Sequence, residues 1–125
     1  MEMPEMTWDD IKHFKKNEFD CACGCGKNNI DIELIERLDR IRSALNMPMK
    51  ITSGCRCEEH NRKVGGKADS SHLYGLAVDF HVPGSAYRFI ALSLCMRLFK
   101  RVGIGSNFIH VDKDATKPWP VCWMY

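Results

Sequence analysis

Apolar residues recur along this chain with two different periods. Between Asp31 and Leu45, the residues Leu34, Leu38, Ile41 and Leu45 fall at i, i+4, i+7 and i+11, one face of a helix with 3.6 residues per turn. Asn29 or Asp31 is placed to cap its start, and Asn46 and Pro48 to stop it. Glu33, Glu36, Arg37 and Arg40 make the opposite face a solvated surface. From Leu76 to Val82 the period drops to two. Leu76, Val78, Phe80 and Val82 face one way, toward a core, and Ala77, Asp79 and His81 face the other. Asp79 is therefore no accident inside an apolar run, because it projects from the free face of a half-buried strand. Phe108 to Asp112 repeats the alternation, with Ile109 and Val111 inward and Phe108, His110 and Asp112 on the other side. Together with Val102-Gly103-Ile104-Gly105 it reads as a hairpin of two short strands.

The remaining segments are shorter. Thr7-Trp8-Asp9-Asp10 reads as a capping box opening an amphipathic helix, with Trp8, Ile11 and Phe14 or Lys15 on its inner edge, that gives out near Asn17. Met49 to Ser53 reads as a strand ended by Gly54, followed by a single helical turn before Gly65-Gly66. Residues 63–71 are a polar loop, a common carrier of binding groups. Ser85 is placed to cap a second long helix running to about Lys100. Phe89, Ile90, Leu92, Leu94, Met96, Leu98 and Phe99 make that helix apolar over a wide arc, which predicts deep burial. The tail carries Pro118, Trp119, Pro120, Trp123 and Tyr125, aromatics that either close the core or wall a groove.

Composition narrows the class. The 125 residues fit one domain spanning 1–125, with no internal repeat or linker. Hydrophobic residues at 45% and charged residues at 27% are the balance of a globular chain with a sizeable core. A net charge of +2, with Lys and Arg scattered, gives no push toward nucleic acid. The stretch from Met1 to Trp8 is acidic and has no apolar run, so neither a secretory signal nor a membrane-inserting segment is expected. Synthesis in the cytoplasm is the corresponding expectation, with any export by a route not visible in the chain. The seven cysteines are an odd number, and without a secretory signal reduced thiols or metal ligands are favoured over a disulfide framework. Cys21-Ala22-Cys23-Gly24-Cys25-Gly26 is either part of a second metal site completed by Cys55 and Cys57, a redox cluster, or a tight turn with small buried thiols.

The candidate chemistry lies in Ser70 to Asp79 and in the strand at 108–112. His72 and Asp79 stand seven residues apart across Gly75, and strand alternation sets His110 on an outward face beside that of Asp79. Two imidazoles and a carboxylate are the protein ligands of an open zinc site, whose fourth position holds a water activated near neutral pH. The bland alternative is a set of surface or satisfied core histidines and a polar turn at Asp112-Lys113-Asp114. Such a site also needs a general base and an oxyanion donor. Asp112, on the strand face of His110, is the base expected from geometry, and Arg56 the oxyanion or carbonyl donor. Arg56, Ser71 and His60 are the expected substrate contacts, with His60 and His81 in reserve for proton transfer.

Ser70-Ser71-His72-Leu73-Tyr74-Gly75-Leu76-Ala77-Val78-Asp79 resembles the S-x-H-x-x-G-x-A-x-D signature of the M15 zinc D,D-peptidase family. Ile51-Thr52-Ser53-Gly54-Cys55-Arg56 through Glu59-His60-Asn61 is similar to that family's TSGYR and EHN segment, and Gly103-Ile104-Gly105 with Phe108 to Asp112 to its closing ligand strand. The resemblance implies an α+β fold of the hedgehog/D,D-peptidase type, a small antiparallel sheet with helices packed on one side. It implies zinc held by His72, Asp79 and His110, with Arg56 near the scissile carbonyl. It further implies a substrate in the peptide stem or cross-links of peptidoglycan, and a monomeric, phage-lysin-like enzyme reaching the wall after holin-type release. A non-catalytic zinc-stabilised wall-binding module of the same fold is the alternative. Two positions depart from the pattern. Asn107 stands where several relatives carry a carboxylate, and Cys55 replaces the tyrosine before the arginine.

Overall fold

The computed structural model describes residues 5–125, so the first half of the acidic stretch read from Met1 lies outside the described residues. Five strands form one sheet in the order β1-β2-β4-β3-β5. They are β1 (Ile51–Ser53), β2 (Ala77–His81), β3 (Arg101–Ile104), β4 (Phe108–Asp112) and β5 (Val121–Met124). The helices are α1 (Ile32–Leu45), α2 (Glu58–Lys63) and α3 (Ser85–Leu98). The architecture is α+β, as expected. The first four strands pair antiparallel, but β5, read from sequence as an irregular tail, pairs parallel with β3 and makes the sheet mixed.

The strand alternation holds. Val78 and Phe80 of β2, Ile109 and Val111 of β4 and Val102 of β3 enter one core with Leu34, Ile35, Leu38 and Ile41 of α1. Asn46 ends α1 in the left-handed conformation at φ 51°, a position asparagine tolerates. α1 and α3 pack against each other on this side of the sheet, while α2 flanks the opposite face.

Two helix expectations are corrected. The segment after Thr7 is not one helix but two short 3-10 turns, Trp8–Asp10 and Lys16–Phe19. Asp10 does accept from the Thr7 amide at 2.9 Å, yet the amides of Lys12 and His13 donate to the buried Asp39 carboxylate at 2.9 Å each instead of back along a helix. This long-range bond to α1 outcompetes local propensity. α3 in turn is not buried over a wide arc. Its inward stripe is Tyr87, Ala91 and Cys95, spaced at four residues, whereas Phe89 is 79% exposed and Ile90 and Met96 are also exposed. Ala91 and Cys95 let α3 lie close to α1, Leu92, Leu94 and Leu98 pack at the edge of the core, and Phe89, Ile90 and Met96 are left outside. No helix among the described residues is long and apolar enough to cross a membrane.

Candidate metal centre

The ligand-bearing face is the side of the sheet opposite the core. Pairing of β2 with β4 sets Asp79 directly across from His110. His72 arrives from a 3-10 turn, Ser71–Tyr74, whose first amides are held by Ser70 and whose end is Gly75 at φ +68°. A side chain at Gly75 would meet the Asn29 carbonyl at 2.0 Å, so the turn requires glycine both for its left-handed backbone and for its close approach to the start of α1.

These elements bring His72, Asp79 and His110 together as buried groups, 3%, 9% and 6% exposed. Asp79 Oδ1 stands 3.3 Å from His72 Nε2 and 2.8 Å from His110 Nδ1. All three donor atoms lie within 4.8 Å of one another. Donors at ~2.0 Å around one tetrahedral ion stand about 3.3 Å apart, so this N,N,O set fits zinc. The outer bonds fix which atoms point inward. His72 Nδ1 is 2.7 Å from the Gly54 carbonyl, which only accepts, so Nδ1 carries the hydrogen and Nε2 is left with its lone pair. His110 Nε2 is 2.7 Å from Asp112 Oδ2, which leaves Nδ1 facing Asp79.

Charge is balanced tightly. Burial works against ionisation of Asp79, but the His110 and His72 imidazoles beside it hold its pKa far below the usual carboxylate range. Burial likewise disfavours a charged His110, and the hydrogen bonds to Asp112 and Asp79 prevail and raise its pKa. Burial pushes Asp112 up, and His110 and the Arg101 guanidinium more than reverse this.

A groove of about 380 Å³ opens over Asp79, lined by Thr52, Ser53, Arg56, His60, Val64, His81, Asn107 and Phe108. Arg56 is held by Ser53 Oγ and Asn61 Oδ1, each at 3.2 Å, with Nη2 3.7 Å from Asp79 Oδ2. His110 is covered on its other side by Trp123 and Tyr125, with ring centres 5.4 and 6.4 Å away. These rings fit because Gly103 lies between β4 and β5, where a Cβ would strike both at 2.7 Å.

Two expected site residues are placed elsewhere. Asp112 is 2% exposed and does not line the groove. Its Oδ1 accepts from Arg101 Nε at 2.7 Å and the Asp114 amide at 3.1 Å, and Oδ2 faces His110, so the carboxylate is engaged away from the groove. Ser71 is also buried, donating to Asp114 Oδ2 at 2.7 Å and accepting from Lys117 Nζ at 2.9 Å. His60 and His81 do reach the groove. Of the thiols, Cys55 stands apart, buried against Asn28 Oδ1 at 3.7 Å.

The model of the family described as peptidase M15 matches residues 12–112, most of the chain and all three candidate ligands. The chain belongs to the peptidase M15 family. It is 30% identical over 105 residues to the peptidoglycan L,D-endopeptidase MepK of Escherichia coli K12, and equally to the proteins of that name from Escherichia coli O157:H7 and Shigella flexneri. The match covers 73% of this M15 chain and 55% of each relative, so the chain spans about half the length of the curated relatives it matches.

Proposed function

We propose that this M15 member is a zinc-dependent peptidase that hydrolyses peptide bonds in the stem or cross-links of bacterial peptidoglycan. The observation that carries the proposal is the convergence of His72 Nε2, Asp79 Oδ1 and His110 Nδ1, with Asp79 opening onto a groove that has Arg56 on its wall. Membership of the family supports the reaction, and the activity for which the MepK relatives are named supports the polymer. The cell wall is then the place of action.

A zinc ion held by His72, Asp79 and His110 would supply a water whose pKa is lowered toward ~7 and a Lewis acid for the substrate carbonyl. The chain's own residues do the rest. The Gly54 carbonyl and Asp112 each hold the outer nitrogen of one ligating imidazole, fixing its tautomer and orientation. Asp112 is thus a positioning group. Arg56 presents its guanidinium where the scissile carbonyl oxygen gains negative charge, and Ser53 and Asn61 keep it there. Asn107 has no proton-accepting group to offer, so His60 and His81 are the imidazoles of the groove wall that would take the proton of a zinc-activated water. Phe108 gives the groove an apolar flank.

The test is digestion of purified peptidoglycan with the zinc-loaded chain, reading released peptides by mass spectrometry, which also defines the bond cut. His72→Ala, checked for retained fold by circular dichroism, is expected to release none. Cleavage by that variant at the wild-type rate would end the proposal. The non-catalytic module is the second reading, favoured by Asn107 in the groove. A wild-type chain that binds zinc and sediments with peptidoglycan yet releases no peptide would establish it.

A further inference from the structure

Away from the groove, four of the seven free cysteines gather at one point. The sulfurs of Cys21, Cys23, Cys25 and Cys57 all lie within 4.8 Å of one another. Cys21 and Cys23 are 3.4 Å apart, and Cys23 and Cys57 3.7 Å. A disulfide would bring a pair to ~2.05 Å. Four thiolates ~2.3 Å from a single zinc ion stand about 3.8 Å apart, close to the two shortest sulfur separations here and inside the 4.8 Å that bounds them all.

The local chain is shaped for this. Gly24 and Gly26 take left-handed backbone at φ +83° and +87°, and the Cys21 amide closes the loop on the Lys27 carbonyl at 3.0 Å. The curl brings residues 21, 23 and 25 to one side, opposite Cys57. Two backbone amides already point at sulfur, Cys57 N–H to Cys21 Sγ at 3.4 Å and His60 N–H to Cys57 Sγ at 3.3 Å. Such donors stabilise thiolate rather than thiol. Cys23 and Cys25 are exposed, whereas an inert cysteine is ordinarily buried as a small hydrophobe.

We propose that Cys21, Cys23, Cys25 and Cys57 bind a second zinc ion in a closed four-thiolate site. Binding releases the thiol protons to solvent and leaves no open position, so the ion is structural. Its place gives it a target. Cys57 caps α2 and adjoins Arg56, and Asn61 of α2 bonds the Arg56 guanidinium. The ion therefore ties the 21–26 loop to the segment that carries the groove's cation. The site stands whether or not the chain cleaves peptides.

The test is metal content of the full chain by mass spectrometry after zinc loading and removal of loosely bound metal. Two zinc ions per chain are expected, falling to one in Cys23→Ser/Cys25→Ser, to one in His72→Ala, and to none in the combination. The cobalt-loaded chain is expected to show intense near-ultraviolet thiolate-to-cobalt absorption that survives His72→Ala. As a check independent of mutant folding, zinc is expected to protect Cys23 and Cys25 of the wild type from alkylation until a chelator is added. A single zinc that is lost in His72→Ala, or equal alkylation of Cys23 and Cys25 with and without zinc, overturns the proposal. So does bound iron with no zinc.

Discussion

Replacing Asp112 with Asn separates a positioning carboxylate from a general base. In the wild type, Asp112 Oδ2 accepts from His110 Nε2 at 2.7 Å, so Nδ1 is free to ligate. An asparagine of the same shape keeps its oxygen where Arg101 and the Asp114 amide donate. Its amide nitrogen then faces His110 Nε2 and donates, which moves the ring hydrogen to Nδ1, the atom aimed at Asp79. The metal-binding tautomer is disfavoured and the imidazole loses its negative partner. Loss of such an outer contact costs about 10–100-fold in metal affinity, or about 1.4 to about 2.8 kcal/mol. The assay is a competition titration against a chromophoric chelator, followed by turnover at saturating zinc. The expected result is a zinc dissociation constant raised by that factor and activity largely restored when zinc saturates. Unchanged zinc affinity with turnover abolished would refute this, because that pattern belongs to a base.

Three further outcomes follow from the same geometry. Arg56→Ala is expected to lower kcat by about 10²–10³-fold with zinc content unchanged, the scale for removing one oxyanion donor, measured by steady-state kinetics on a muropeptide. Ser71→Ala is expected to cost about 1–3 kcal/mol in urea unfolding, because it removes a buried hydroxyl that donates to the Asp114 carboxylate and accepts from Lys117, while kcat stays near wild type; a large loss of kcat at normal stability would return Ser71 to the groove. The melting-temperature gap between zinc-loaded and metal-free protein is expected to widen from about pH 6 to about pH 8. In the metal-free chain the raised pKa of His110 contributes stability fully below the ordinary imidazole value of ~6.5, and that contribution fades as pH rises through the raised value. Zinc needs the deprotonated ring, so its contribution moves the other way. A gap independent of pH would contradict the placement of His110 between two carboxylates.

Features set by local periodicity were legible in the sequence, and those set by distant partners were not. The α1 stripe and the alternation of β2 and β4 follow from spacing alone, and they place Asp79 and His110 on one face. The face of Asp112 was equally legible, but its occupation was not. Arg101 pairs with it across β3 and β4, and no local pattern announces that cover. Ser71 looked like a loop residue beside a ligand until Asp114, 43 positions later, was folded onto it. The amides of residues 12 and 13 were drawn to Asp39, dissolving a helix that propensity favoured. The strand β5 was hidden by prolines at its entry and by its short length, and with it the aromatic cover of His110.

The alternation in β2 and β4 also decides which genetic changes this domain can survive. Core and ligand residues are interleaved one by one, Val78 and Phe80 around Asp79, Ile109 and Val111 around His110. Loss or gain of a single codon inside either strand would turn valine and isoleucine into the groove and drive aspartate and histidine into the core together. Metal binding and folding would fail in the same event, with no functional intermediate to select. Length variation is thereby confined to the connections, the turn at 105–107 and the segment 113–120 among them. Diversification of the groove must proceed by substitution on a reading frame that cannot slip.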